Sequence, residues 1–214
     1  MGCGSEIRDG YLTAAESALE LLRARAVAEA WEEPSALEGY SVGGLAAHLA
    51  NQILQVPEVE PTAPGTPVPV LEHFTRAPWF GRDDTAREVN DAIRTAGEDA
   101  GRDGPAALVA RTAAALEEVR ARVDAAPDDL VVHLPRAGWD LTYDDFLLTR
   151  LMELAVHADD LAVSVRVPTP GLPEPALLAV TDLLSRLAVR RHGALPVLRA
   201  LSRTERAPGS VSAF

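Results

Sequence analysis

Over most of the chain the apolar positions recur with a helical period. Ile7, Leu12, Ala15, Leu19, Leu22 and Val27 form one such stripe on a background rich in Ala, Glu and Arg, and they predict a long first helix over residues 6–31 that closes near Glu32-Glu33-Pro34. Tyr40-Ser41-Val42-Gly43-Gly44-Leu45 reads as a second helix start, with Ser41 as cap and Tyr40 stapled to Leu45, and this helix runs to about Leu54. Prolines at 57, 61, 64, 67, 69 and 78 are too dense for a helix interior, so residues 57–78 are expected to be a long loop. Two more helical patterns cover 84–97 and 105–125, and residues 130–134 predict a short, isolated strand. Leu141-Thr142-Tyr143-Asp144-Asp145-Phe146 repeats the start signal: Thr142 caps, Asp145 stands at the capping-box position and Leu141 can meet Phe146. That helix reaches about Val165, and two others follow at 173–191 and 195–203. Long helices with short connections, and one large crossover at the proline-rich stretch, predict an all-α, up-and-down four-helix bundle. The bundle is expected to occupy residues 1–168, with 169–214 as a helical extension packed on it.

Composition narrows the chemistry. The 214 residues are 47% hydrophobic, enough for a sizeable core, and 32 acidic residues against 20 basic ones give a net charge of -12. That charge opposes a phosphate backbone or an anionic membrane, so neither nucleic acid nor a membrane is an expected partner. Every basic residue is Arg, and without Lys there can be no Schiff-base enzyme, no pyridoxal phosphate enzyme and no Walker A loop. One cysteine, Cys3, excludes a disulfide scaffold, a Cys-rich zinc module and C-x-x-C redox chemistry. The opening residues lack the apolar stretch of a signal peptide, and no apolar run approaches the ~20 residues needed to cross a bilayer, so a cytoplasmic location is expected.

The helix over 142–165 has two faces. Leu147, Leu151, Leu154, Ala158, Leu161 and Val165 share the apolar one, while Phe146, Arg150, Glu153, His157, Asp160 and Ser164 fall on a second arc about 100° away. Leu154 and Leu161 border that polar arc on one side, and Val156 and Val163 on the other. It is therefore expected to be roofed by other helices, where ionised groups need partners or a metal. Glu153 and His157, four residues apart, project toward one point, a spacing that suits both a ligand pair and a plain hydrogen bond. His48 lies on the shoulder of the second helix, beside the apolar centre Val42, Leu45, Leu49 and Ile53. Two His and one Glu from two capped helices match an open metal site, in which three protein ligands leave one position for water or substrate. Around them, Arg150 can fix the Glu153 carboxylate, clamp an anionic substrate or thiol, or form an ordinary ion pair. Asp160 can support His157 from behind or stand as an exposed carboxylate, and Asn51, one turn past His48, can line the cavity or face solvent. His73, His133 and His192 have no partner at ligand spacing and read as structural or surface residues.

Three stretches resemble the mycothiol-dependent maleylpyruvate isomerase N-terminal domain family, within the DinB/YfiT-like metalloenzymes. They are Trp31 through Gly39-Tyr40-Ser41-Val42 to His48-Leu49, then Gly138-Trp139 through Arg150, Glu153, His157 and Asp160-Leu161, and last Leu198 to Arg206. The resemblance implies a DinB-like four-helix bundle that holds a divalent metal, zinc foremost, through His48, Glu153 and His157. It also implies mycothiol or a similar low-molecular-weight thiol as cofactor or co-substrate. About 46 residues follow Pro168, too few for the separate C-terminal domain of the isomerase itself. The expectation therefore rests on the bundle: a metal-dependent enzyme that uses an external thiol in transfer to, or isomerisation of, a small electrophile. Water activation by the same three ligands in a hydrolase, and a non-catalytic bundle that binds a ligand or partner protein, are the alternatives. A small-molecule substrate is the expected partner, with the protein a monomer or homodimer. The loop over 56–82, with Phe74, Trp79 and Phe80, is expected to cover the site, where Trp79 meets substrate or thiol; the same aromatics also suit a plug in one end of the bundle.

Overall fold

In the computed structural model, which describes residues 3–62, 65–80 and 84–214 but not the side chains of residues 3–5 and 79, the first apolar stripe forms two helices rather than one. These are α1 (Cys3–Leu22) and α2 (Arg25–Glu29), separated at Ala24, whose backbone is extended (φ -61°, ψ 132°). The cause is positional. Val27 stands five residues beyond Leu22, about 140° further round a continuous helix. The break turns it back inward, and it is fully buried.

Next comes α3 (Val42–Leu54), which starts where its cap predicts: Ser41 Oγ accepts a hydrogen bond from the Gly44 amide at 2.9 Å. The proline-rich stretch is not one loop. It contains β1 (Glu60–Pro61), α4 (Val70–Arg76) and a 3₁₀ turn at Pro78–Phe80. Three of its prolines stand where no amide is needed: Pro61 on an edge strand, Pro69 at the residue before α4, and Pro78 at the first position of the turn. Beyond it lie α5 (Asp84–Gly101) and α6 (Gly104–Ala125), both longer than their sequence patterns. The strand expected to be isolated is also paired. β2 (Val131–Leu134) is the middle of a three-stranded antiparallel sheet between β1 and β3 (Trp139–Thr142), with Glu60, His133 and Asp140 in one row. β3 is hidden in the sequence because it runs without a break into α7 (Tyr143–Val165). Thr142 both ends the strand and caps the helix, its Oγ1 accepting from the Asp145 amide at 3.0 Å. α8 (Glu174–His192) and α9 (Ala194–Ser202) complete the chain.

The fold is all-α, with nine helices among the described residues, which occupy 68% of the chain. α1 packs against α7 and α6, α3 packs against α7, α6 and α5, and α8 lies on α1, α7 and α4. Tyr11, Leu45, Leu49, Ile53, Leu108, Leu147, Leu151 and Leu154 are among the largest fully buried side chains at these contacts. No helix of the described residues is long and apolar enough to cross a membrane.

α5 is drawn onto α3 by glycine. A Cβ on Gly101 would lie 2.9 Å from the Gly43 carbonyl oxygen, and one on Gly97 3.1 Å from that of Gly44. The α5 carboxylate of Glu98 then reaches the start of α3, accepting from both the amide and the hydroxyl of Ser41 at 2.8 Å. Since a methyl at Gly101 meets backbone rather than a flexible side chain, Gly101→Ala is expected to destabilise the protein by roughly 1–3 kcal/mol. Urea unfolding checks this as a lower midpoint at unchanged slope.

Candidate metal centre

α3 and α7 each deliver their share of the site by local rules. The cap at Ser41 sets the phase of α3, which turns Leu45 and Leu49 into the core and leaves His48 on the flank. On α7 the leucine face is buried, which directs the polar arc toward α3. There the three predicted ligands meet. His157 Nε2 lies 3.1 Å from Glu153 Oε2 and His48 Nε2 lies 3.9 Å from the same oxygen. The two imidazole rings are edge to face with centroids 4.6 Å apart, and one donor atom from each of the three residues lies within 4.8 Å of the others. Donors around a tetrahedral zinc with bonds of about 2.0–2.2 Å stand about 3.3–3.6 Å apart, so this spacing is near that of a ligand set. All three side chains are mostly buried without being sealed, at 15%, 18% and 14% exposed for His48, Glu153 and His157.

The electrostatics follow from that burial. Withdrawal from water would raise the Glu153 pKa, but the hydrogen bond from His157 and the nearby His48 imidazole, together with the charges of His157 and Arg150, hold it well below the usual carboxylate range. Burial would likewise lower His157, but its bonds to Asp160 and Glu153 outweigh it and raise the imidazole to about 9. Asp160 stands behind that ring, Oδ2 3.0 Å from His157 Nδ1. A neutral His157 that donates from Nδ1 keeps its Nε2 lone pair directed at Glu153 and His48.

Arg150 makes no ion pair with Glu153 among the described contacts, unlike the i, i+3 pairing considered from sequence. Its Nη1 donates to Gln52 Oε1 at 2.7 Å, its Nε to Thr149 Oγ1 at 3.0 Å, and its guanidinium lies 5.7 Å from the centre of the Phe146 ring. Gln52 escaped the sequence reading. It is 2% exposed, donates from Nε2 to the His48 carbonyl at 2.9 Å, and accepts at its own carbonyl from Tyr11 Oη at 3.1 Å. The signal was present, since Gln52 continues the Leu45 and Leu49 stripe, where a polar residue must be answered inside the core. Asn51, the neighbour singled out from sequence, is solvent-exposed.

His73 is another residue whose role was not legible. It is 9% exposed on α4, and its Nδ1 accepts from Trp139 Nε1 at 3.1 Å. An indole can only donate, so the neutral ring carries its proton on Nε2. Burial, reinforced by the Arg150 charge and opposed by Glu153, lowers its pKa to about 4, which places it within electrostatic reach of the site. His133 is paired with Asp140 at 2.6 Å across β2 and β3, and His192 lies 2.7 Å from the Ser212 carbonyl. In the expected covering segment, Phe74 is fully buried and α4 packs on α7 and α8, while the Trp79 side chain lies outside the described residues, as does that of Cys3.

The class that fold and site define is an all-α domain with a cluster between its helices, two imidazoles and a carboxylate, that could hold a metal ion. The chain matches the Mycothiol maleylpyruvate isomerase N-terminal domain over residues 12–162, a span that contains His48, Glu153 and His157, and it belongs to that family. No curated protein and no solved structure matches it.

The state of His73 is directly measurable. Long-range proton–nitrogen NMR spectra should show a neutral ring protonated at Nε2 and titrating near pH 4. In Trp139→Phe the Nδ1 acceptor loses its donor, and the spectrum should shift toward a mixture of tautomers.

Proposed function

We propose that this chain is a metal-dependent enzyme that brings a low-molecular-weight thiol, mycothiol foremost, to a small electrophilic substrate for transfer or isomerisation. The observation that carries the reading is the convergence of His48, Glu153 and His157 with Asp160 behind His157, in a family described by its mycothiol-dependent isomerase. Two imidazoles and one carboxylate suit a borderline divalent ion, zinc foremost, and the bond from Nδ1 of His157 to Asp160 is the support that such ligands ordinarily have. When bound, the ion supplies Lewis acidity and favours the thiolate form of an incoming thiol at neutral pH. The chain supplies the rest. His48 and His157 present Nε2, Asp160 keeps the His157 ring oriented, and Glu153 stays anionic against the burial around it. Arg150, fixed by Gln52 and stacked on Phe146, is a cation one turn from Glu153, placed for an anionic group of thiol or substrate. The only cysteine, Cys3, stands at the first turn of α1, so the nucleophilic sulfur comes from a separate molecule.

Metal binding has a pH signature. Below about 9 the metal-free His157 is protonated, so an incoming ion must displace that proton. Apparent zinc affinity is expected to rise about tenfold per pH unit from neutrality to about pH 9 and to level off above it. Calorimetry near pH 7.5 in buffers of different ionisation heat should read about one proton released per zinc. Affinity independent of pH would remove His157 from the ligand set.

Thiol dependence is tested on the cobalt-substituted protein. Titration with mycothiol should produce a sulfur-to-cobalt charge-transfer band, and His157→Gln should lose both cobalt and band while keeping its helical circular dichroism, because the leucine face of α7 is untouched. Stoichiometric cobalt without a thiol-dependent band would favour water activation and a hydrolase; failure to take up metal would overturn the enzyme reading.

A further inference from the structure

His73 and Arg150 each carry a hydrogen-bond donor that the fold does not use. The His73 ring is buried, and its Nδ1 is occupied by Trp139 Nε1, which leaves the ring proton on Nε2. Among the described residues nothing accepts from that Nε2. Arg150 donates from Nε to Thr149 and from Nη1 to Gln52, while Nη2 meets no acceptor and the guanidinium no carboxylate among the described residues. Neither Nε2 of His73 nor Nη2 of Arg150 is among the sealed polar atoms without a partner, so both keep a path to solvent. A half-buried guanidinium without a carboxylate partner is a ready receptor for one.

The two donors stand toward the same end of α7. The Arg150 side chain runs back along the helix onto Phe146, which directs its guanidinium toward the first turn. β3 leads into that turn without a break, and it carries Trp139, the partner of His73. α4 lies against α7, and the His73 imidazole is within electrostatic reach of both Arg150 and Glu153. Burial, reinforced by the Arg150 charge, keeps the imidazole neutral at neutral pH, so its Nε2 is a donor in a field that favours an anion.

We propose that His73 Nε2 and the Arg150 guanidinium form a subsite for one carboxylate beside the metal centre. The guanidinium matches the planar, two-oxygen shape of that group, and the imidazole adds a donor whose tautomer Trp139 fixes. Glu153 follows Arg150 by about one turn, roughly 4.5 Å along the axis, so a small molecule held here by its carboxylate presents atoms a few bonds away to the three metal ligands. His73 is then a specificity-determining residue and Trp139 a positioning residue that acts through it. What the bound molecule goes on to do rests on the function proposed above; the binding itself needs no metal.

The test is proton–nitrogen NMR of the metal-free full chain at neutral pH, titrated with acetate and, separately, with chloride at the same ionic strength. Acetate should move the His73 Nε2 and Arg150 Nε signals along one saturating curve, and chloride should leave them in place. His73→Leu and Arg150→Gln should each bind acetate about tenfold more weakly or worse, whereas His73→Gln, which keeps a donor near the position of Nε2, should stay within about threefold of wild type. Circular dichroism checks that each variant is folded; where one is not, the joint movement in wild type decides alone. On the cobalt-substituted protein, acetate that displaces mycothiol assigns the subsite to the thiol, and acetate that binds alongside it assigns the subsite to the electrophile. Shifts that stay linear to the highest acetate concentration overturn the proposal, as do chloride that acts like acetate and folded Leu and Gln variants that bind like wild type. Failure to take up cobalt overturns only the metal reading, because the acetate titration is made without metal.

Discussion

A carboxylate taken out of water has to be answered at close range, and Glu153 is the point on which the interior of this protein turns. Alone, its burial would favour the protonated form. The two imidazoles reverse this, and they come from different elements: His157 from the next turn of α7 and His48 from α3. The position of α3 against α7 is thereby constrained by charge as well as by the leucines beneath. Arg150 adds positive charge without direct contact, and Asp160 balances His157 from its far side. Along α7 the signs alternate as Arg150, Glu153, His157 and Asp160, so each ionised group faces opposite charge one turn away.

The elements around α3 serve to keep it in place. On one flank the glycines of α5 bring backbone to backbone, and Glu98 holds the amide and hydroxyl of Ser41, the residue that caps α3. On another, the buried Tyr11 of α1 reaches the Gln52 carbonyl. α7 is held just as directly at its own start, because Thr142 leaves no slack between β3 and the helix. The sheet in turn is tied to α4 through Trp139 and His73, so the segment that crosses the proline-rich region is joined to the helix carrying Glu153 and His157.

How much of this could be read from sequence depends on how far apart the interacting residues stand. The caps at Ser41 and Thr142 were legible because cap and amide are neighbours in the chain. Glu153 and His157 were legible because a helix alone brings them together, and His48 because two nearby helix starts set the phase of both elements. The break between α1 and α2 was not: the period of the stripe is helical on both sides, and the turn answers to the core around Val27. Nor was the sheet, since β1 and β3 are short and their pairing with β2 joins distant residues. Trp139 and His73 have no common local pattern, so their hydrogen bond appears only in three dimensions. Gln52 is intermediate; its place on an apolar stripe was visible, but its partner on α7 was not.

Gln52 is a vertex shared by three helices, its backbone carbonyl held by α1, its amide nitrogen by α3 and its side-chain oxygen by the guanidinium of α7. Changing one end alone weakens the other: an aliphatic residue at 52 leaves the half-buried guanidinium with only Thr149 as acceptor, and an aliphatic residue at 150 leaves the buried amide oxygen with only Gln55 as donor. Divergence at either position is thus channelled into paired replacements. Among descendants of this sequence, residues 52 and 150 should change together or hardly at all, although 98 positions separate them in the chain.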